Sequence, residues 1–234
     1  MPFSEKTLDF LFENRLQDSK DWFDAHKNIY QEHVLEPLQE LVVGLSDAAL
    51  DLDPLVTIDP KVGKTISRIR RDTRFTKDKR IYREHMWIVF KRGPRMYGTD
   101  APGIYFEMSP DNFGYGCGYY YTDPEYMDAL RAAILAGSPE AMAAIDAYEA
   151  QNIFTLDGDR YKRPRYPDQP EKLRKWLELR NISLSAESTD AALLFSDKLA
   201  EKVSADFKVL KPMYRFLLKI AIQVYGGTGI EDEI

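Results

Sequence analysis

Arginine and lysine side chains are concentrated in one stretch of this sequence, residues 61–95. The stretch contains thirteen Lys or Arg residues and three acidic residues, whereas the whole chain of 234 residues has a formal net charge of −6. Its local charge of +10 is balanced by −16 over the rest of the chain. Segregation of charge on this scale predicts that something negative contacts the stretch, either a ligand or carboxylates of the protein itself.

Two arginines in this stretch have a spacing suited to anion binding. If residues 64–71 form a β-strand, Arg68 and Arg70 lie on one face, about 7 Å apart along it. Guanidinium groups so placed can hold phosphate or carboxylate through paired hydrogen bonds. The alternative is that both pair with internal acids, because an isolated buried cation is costly. The internal acids considered are Glu107, Asp72 and Asp78.

We predict an anion site formed by six cations and completed by a possible proton carrier. The ligand-binding set is Arg68, Arg70, Arg71, Arg74, Lys77 and Lys79. Tyr82 and His85 follow this set, and either could move a proton if the bound anion is a substrate. The sequence does not decide whether the protein is an enzyme. A phosphorylated or carboxylated small molecule is the predicted partner.

Two other functions fit the same residues. In a nucleic-acid-binding module the cations would follow a phosphate backbone, and the tyrosines at 105, 115 and 119–121 would stack on bases. The acidic remainder and a pI of about 5.3 argue against strong general affinity for nucleic acid. In a structural or protein-interaction protein, the arginines would be satisfied internally. The exposure of the arginine side chains distinguishes these three functions.

Several common kinds of site are not expected. His26 and His33 are about 10 Å apart along a helix, which is too far for one metal ion, so no metal site is predicted. Gly63-Lys64-Thr65 lacks the earlier glycine of a phosphate loop. No cofactor is predicted. Cys117, the single cysteine, has no sequence neighbour that could activate it.

The composition is typical of a folded, soluble protein in a reducing compartment. The apolar content is 44%, and the longest apolar runs are far shorter than the ~20 residues that span a bilayer. Residues 1–12 include charged side chains, unlike a secretory signal. With one cysteine there is no internal disulfide, so a cytoplasmic location is expected. Contact with membranes is not expected, and the oligomeric state is not predicted.

The order of hydrophobic patterns predicts an α+β fold. A short helix follows Ser4, and a longer one follows Ser19 with a kink or break at 33–36, before Pro37. Strands are predicted at 64–71, 85–92, 103–109 and 113–121, the last two as a hairpin. Helices return from 123 onward, with a strand and irregular loop at 153–168. The fold is thus a single domain, 1–225, in which a mostly antiparallel meandering sheet is flanked by N-terminal and C-terminal helices. An acidic tail, 226–234, follows.

Three segments of the sequence resemble a known family. They are RIRRDTRFTKDKRIYREH at 68–85, KDWFDAHKNIYQEHV at 20–34 and YFEMSPDNFGYGCGYYY at 105–121. Together they resemble the domain of unknown function 2461 family of conserved hypothetical proteins. The pattern R-x-x-R-D-x-R-F-x-K-D-K-x-x-Y falls on Arg68, Arg71, Asp72, Arg74, Phe75, Lys77, Asp78, Lys79 and Tyr82.

The resemblance extends from the first helices to residues 207–217, which implies one domain over nearly the whole chain. It implies no particular reaction, but it directs attention to the arginine segment. The sequence departs from the family at Arg83, where Lys is usual, and at Tyr166, where a glycine usually follows Pro164-Arg165. The first change preserves the charge, and the second leaves the conformation of that loop open.

Overall fold

The computed structural model of the chain describes residues 3–74, 77–93, 96 and 98–226, and it opens with a group of short helices. These are α1 (Glu5–Gln17), α2 (Lys20–Ala25), α3 (Lys27–Tyr30), a π-helical turn (Gln31–Leu35) and α4 (Glu36–Leu52). The long helix predicted after Ser19 is therefore interrupted twice, at His26 and at the π turn. The second interruption lies just before Pro37, where the break was predicted, because proline has no N–H for a regular helical hydrogen bond.

Five antiparallel strands form one open sheet. They are β1 (Met86–Phe90), β2 (Gly103–Met108), β3 (Phe113–Gly118), β4 (Thr155–Asp157) and β5 (Ser183–Ser188). The strand order is β1-β2-β3-β5-β4, so β1 and β4 are the outer strands. The predicted hairpin is confirmed, with Met108 opposite Phe113. The sequence analysis missed β5.

Further helices follow β3 in the chain, and the strands β4 and β5 lie between them. They are α5 (Pro124–Leu135), α6 (Pro139–Glu149), α7 (Glu171–Leu177), α8 (Ala191–Leu194) and α9 (Leu199–Tyr225). The α+β prediction is confirmed. In the described part of the chain, no helix has both the length and the apolar character needed to cross a membrane. Apart from Gly226, the predicted tail lies outside the described residues.

The core lies between one face of the sheet and the helices α4 and α9. Alternate residues of β1, β2 and β3 are buried there, including Ile88, Phe106 and Cys117, because successive side chains of a strand point to opposite faces. The opposite face differs in character. Tyr105 is half-buried there, whereas Glu107 and Glu187 are exposed. The sheet therefore presents one buried apolar face and one more accessible, mixed face that also carries Trp87 and Val89.

Two cations of the basic stretch are buried and hold the fold together. Arg92 and Asp53 form a two-point ion pair, with N–O distances of 2.8 and 2.9 Å, and the Tyr214 hydroxyl donates to the same carboxylate at 2.9 Å. Lys91 donates to the Asp100 carboxylate at 2.6 Å. A hydrogen-bonded partner is what makes a buried charge tolerable. Part of the local positive charge therefore has a structural role.

The glycines of β3 are explained by close strand pairing. A Cβ atom at Gly116 would lie 1.9 Å from the carbonyl oxygen of Leu184 on β5, and one at Gly114 would lie 3.1 Å from that of Ala186. The glycines let the backbones of β3 and β5 approach each other. This strip of bare backbone faces a neighbouring strand.

Candidate functional site

The candidate site lies where residues 66–71, which follow a turn at 63–65, run along the outer edge of β1. The Ser67 N–H donates to the Trp87 carbonyl at 2.8 Å, and further along, the Arg71 N–H donates to the Ile81 carbonyl at 2.8 Å. These bonds fix the backbone that carries Arg68 and Arg70. The arginines are therefore held by the sheet and are not part of a free loop.

This segment does not form the regular strand predicted for 64–71. It pairs through isolated bridges, Ile66 with Ile88 and Arg70 with Tyr82. Between these two bridges, the four residue steps from 66 to 70 lie opposite the six steps from 82 to 88. The two extra residues therefore form a bulge. Alternation survives locally, since Arg68 and Arg70 are exposed while Ile69 between them is buried.

Asp18 fastens the arginine segment to the N-terminal helices. Its backbone is left-handed (φ 40°), at the end of α1, and its carboxylate accepts the N–H groups of Ile81 and Tyr82 at 2.8 and 2.9 Å. Asp tolerates this conformation better than most residues with a side chain. The sequence analysis missed Asp18, although an acid directly before the cap Ser19 was a visible signal.

Three of the six predicted ligand-binding cations have partners within their own loop. Arg71 donates a hydrogen bond to the Asp78 carboxylate at 2.7 Å. Arg74 donates two side-chain hydrogen bonds to the Asp72 carboxylate, at 2.6 and 2.9 Å. These hydrogen bonds from Arg74 lower the pKa of Asp72 to about 2. Lys79 donates to a backbone carbonyl of the loop at 2.9 Å. The loop is thus cross-linked by its own charges.

The remaining predicted cations, Arg68, Arg70 and Lys77, are exposed. Among the described residues, none of the three forms an ion pair with an acidic side chain, so the internal pairing considered for Arg68 and Arg70 does not occur there. The Arg68 side chain packs over Gly63, with its Nε 3.1 Å from where a Cβ would be. This contact directs its guanidinium along the surface.

The two candidate proton carriers lie in different surroundings. Tyr82 is buried, its ring stacks on Phe23 at 4.8 Å, and burial raises the pKa of its hydroxyl. Arg70 and Lys20 are close enough to that hydroxyl to oppose the shift electrostatically. Tyr82 is therefore a protonated hydrogen-bond donor at neutral pH, positioned beside Arg70.

His85 directly precedes β1. Its ring stacks on Trp87 at 5.0 Å, and burial, with a smaller effect from Arg83, lowers the pKa of its imidazole. It borders a cavity of about 260 Å³ that Arg15 and Glu107 also line. Partial desolvation of its carboxyl group and the neighbouring Glu187 raise the pKa of Glu107. The structure therefore pairs Arg70 with Tyr82, whereas His85 lines the cavity that includes Arg15 and Glu107.

The lowered pKa of His85 gives a testable pH dependence of stability. As pH falls below the ordinary value of 6.5, the unfolded chain binds a proton at His85 before the folded protein does. The folded state then loses stability, so we expect a fall in the unfolding midpoint between about pH 7 and 5 that is shallower in His85→Gln. Thermal unfolding of both proteins across this range checks it, and parallel curves would contradict it.

No metal centre accompanies the arginines in the part of the chain that the structure describes. Within residues 3–74, 77–93, 96 and 98–226, no group of three or more His, Cys, Asp or Glu side chains is arranged to hold an ion. His26 instead makes a 2.7 Å hydrogen bond through Nδ1 to the Trp22 carbonyl, and His33 lies beside Glu32.

Comparison with known families agrees with the resemblance seen in the sequence. Residues 6–216 match the family described as conserved hypothetical protein (DUF2461). The chain belongs to this family. The match covers the N-terminal helices, the whole sheet and most of α9, so the DUF2461 domain includes every residue of the candidate site. No curated protein matches the sequence.

The arginine motif of this DUF2461 member has a physical explanation in the structure. Arg71 pairs with Asp78, which also binds Arg80, and Arg74 pairs with Asp72, so these motif positions shape the loop. Arg83 donates to the Arg68 carbonyl at 3.0 Å and lies over Trp87.

The loop that contains Tyr166 is held by one carboxylate. The N–H groups of Arg165 and Tyr166 both donate to Glu178, at 2.8 to 3.0 Å. This contact defines the conformation that the sequence left open.

Proposed function

We propose that this protein binds a small molecule carrying phosphate or carboxylate, and that Arg68 and Arg70 are the primary contacts. The observation that supports the proposal is that neighbouring arginines differ in whether they have an acidic partner. Arg71 and Arg74 form ion pairs with acids of their own loop, whereas no described acid forms an ion pair with Arg68 or Arg70. Asp72 and Asp24 interact with Arg68 and Arg70, respectively, only electrostatically at longer range. An incoming anion therefore does not have to displace a carboxylate.

The surrounding structure favours binding because it holds these groups in place beforehand. The backbone of Arg70 is paired with Tyr82, and Tyr82 is anchored by Asp18. Less side-chain and loop freedom is then lost on binding. Arginine also offers two parallel donors to one anion, which lysine does not. Lys77, exposed on the adjoining loop, is proposed as an additional cation.

If the anion is a substrate, Tyr82 is the better placed of the two candidate proton carriers. It lies beside Arg70, and its raised pKa keeps the hydroxyl protonated at neutral pH. It is therefore proposed as a hydrogen-bond donor to the anion or to a leaving group, whereas His85 lies elsewhere. A cytoplasmic location, inferred from the single cysteine, is part of the same proposal.

Thermal unfolding with a panel of anions tests the proposal. The panel is phosphate, sulfate, sugar phosphates and dicarboxylates, in a buffer containing neither phosphate nor carboxylate. A ligand at 100 times its dissociation constant adds about 2.7 kcal/mol, which should raise the midpoint by about 5 to 10 °C for a chain of this length. We expect Arg70→Ala to lose this rise and Arg70→Lys to retain only part of it.

The matched control is Arg215→Ala, which removes one exposed arginine on α9, outside the proposed site. Its midpoint should rise with ligand as in the wild type. If no anion raises the midpoint of the wild type, or if Arg70→Ala and Arg215→Ala lose the rise equally, the proposed site is wrong. An intact fold in each variant is checked by its midpoint without ligand.

A further inference from the structure

A second group of exposed cations lies at the β4 side of the sheet, away from the proposed anion site. We call it the β4 basic patch. It consists of Arg160, Lys162, Arg163, Arg165 and Arg180. Through the ranges that the structure describes, none of these five side chains forms an ion pair with an acid. About four strand spacings of roughly 4.8 Å separate β1 from β4, so the two basic surfaces are distinct.

The fold brings the patch together by continuing the pairing of β4 with β5. Arg160 bridges Leu179, and the Arg180 N–H donates to the Asp159 carbonyl at 2.7 Å. Residues 158–165 and 178–181 contain two acids between them, Asp159 and Glu178. Glu178 accepts hydrogen bonds from the backbone of the loop at 165–166 and keeps its negative charge. Five cations against two acids leave these segments with a net charge of +3.

A shallow cavity of about 560 Å³ opens between these segments. It is lined by Asp159, Arg160, Tyr161, Lys162, Arg165 and Arg180. The Arg165 guanidinium lies 3.6 Å from the centre of the Tyr161 ring, and the buried Arg131 donates to the Tyr161 hydroxyl at 3.1 Å. These contacts fix Tyr161 and Arg165, so the floor of the cavity is preorganised.

Two strongly exposed tyrosines adjoin the patch. The relative exposure of Tyr120 is 102% and that of Tyr121 is 61%. Their backbone is joined directly to the patch, since Asn181 Nδ2 donates to the Tyr120 carbonyl at 3.4 Å and the Thr122 hydroxyl donates to the Arg180 carbonyl at 3.1 Å. An aromatic ring left wholly in water beside a cationic surface is available for stacking.

We propose that the β4 basic patch, with Tyr120 and Tyr121, binds single-stranded nucleic acid. Arginine and lysine side chains contact successive phosphates, and exposed aromatic rings stack on bases of any sequence. Five cations distributed over two segments suit several phosphates of one strand better than the single phosphate of a mononucleotide. Because the protein as a whole is acidic, binding is local and weakens steeply with salt.

The test measures fluorescence anisotropy of a labelled mixed-sequence single-stranded DNA of about 12 nucleotides, titrated with the full chain from about 50 to 200 mM salt. Tyr120→Ala is expected to weaken binding by about 5- to 150-fold, without changing the slope of log affinity against log salt. Tyr120→Phe should bind as the wild type does. Arg180→Ala should make the slope shallower by about 0.7.

Controls separate this proposal from general attraction and from the anion site. Arg70→Ala removes the same charge on the β1 side and should leave the affinity for DNA unchanged. An abasic strand of equal length should bind more weakly than the normal strand. The proposal is overturned if the DNA does not bind, if Tyr120→Ala binds normally, if Arg70→Ala and Arg180→Ala weaken binding equally, or if AMP competes as well as the strand.

Discussion

Asp53→Ala is expected to lower the free energy of unfolding by about 3 to 5 kcal/mol. The substitution leaves the buried Arg92 guanidinium without its two-point partner, and it removes the acceptor of the Tyr214 hydroxyl. Removing one member of a buried ion pair is costly because the remaining charge stays desolvated. Equilibrium unfolding in urea, followed by circular dichroism, measures the loss.

A matched control lies two residues earlier in the chain. Asp51 is also an aspartate near the end of α4, and it pairs with Lys211 at 2.6 Å, but both groups are partly exposed to water. Asp51→Ala should therefore change the unfolding midpoint little. Equal losses in Asp53→Ala and Asp51→Ala would show that burial does not determine the strength of the Asp53 interaction.

Gly116→Ala is expected to cost about 3 kcal/mol of stability, because the new methyl group has no space. The nearest atom is the Leu184 carbonyl oxygen of β5, at 1.9 Å, and backbone cannot rotate away as a side chain can. The central strands β3 and β5 must separate locally to accept it. The same urea titration measures the effect, with the slope checked for two-state unfolding.

Gly137→Ala distinguishes lack of space from backbone strain. Gly137 is left-handed (φ 64°) and has no atom within 4 Å of its Cβ position, so alanine costs only the conformational energy there, about 1 to 2 kcal/mol. We expect the Gly116 variant to be the less stable of the two. A Gly116→Ala protein as stable as the wild type would mean that β3 and β5 are not so closely paired.

The sequence predicted the fold class because its strongest patterns were local. The hairpin of β2 and β3 has alternating apolar residues and a turn of Pro110, Asp111 and Asn112, and it formed as predicted. The strand β5 was missed because its residues, Ser183 to Ser188, are mostly small and polar. The pattern that could have revealed the strand is an alternation of period two, in which Leu184 and Ala186 face the core.

The site was predicted only in part because pairing depends on tertiary contacts. Sequence spacing identified the exposed face of Arg68 and Arg70, but it could not show that Asp78 would turn toward Arg71 and away from Arg68. The residue types between positions 82 and 88 also gave no signal for the bulge there. Which cations are free for a ligand was therefore decided by the folded backbone.

The arrangement of the outer strands also bears on self-association. An open sheet offers two outer strands whose unpaired N–H and C=O groups can recruit strands of another molecule. Here residues 64–71 take up hydrogen bonds on the outer side of β1, and β4 is only three residues long and is followed by charged residues of the β4 basic patch. Short length and charge are features that discourage edge-to-edge aggregation. The same cations that we propose as ligand contacts thus help to keep each molecule's sheet separate from its neighbours.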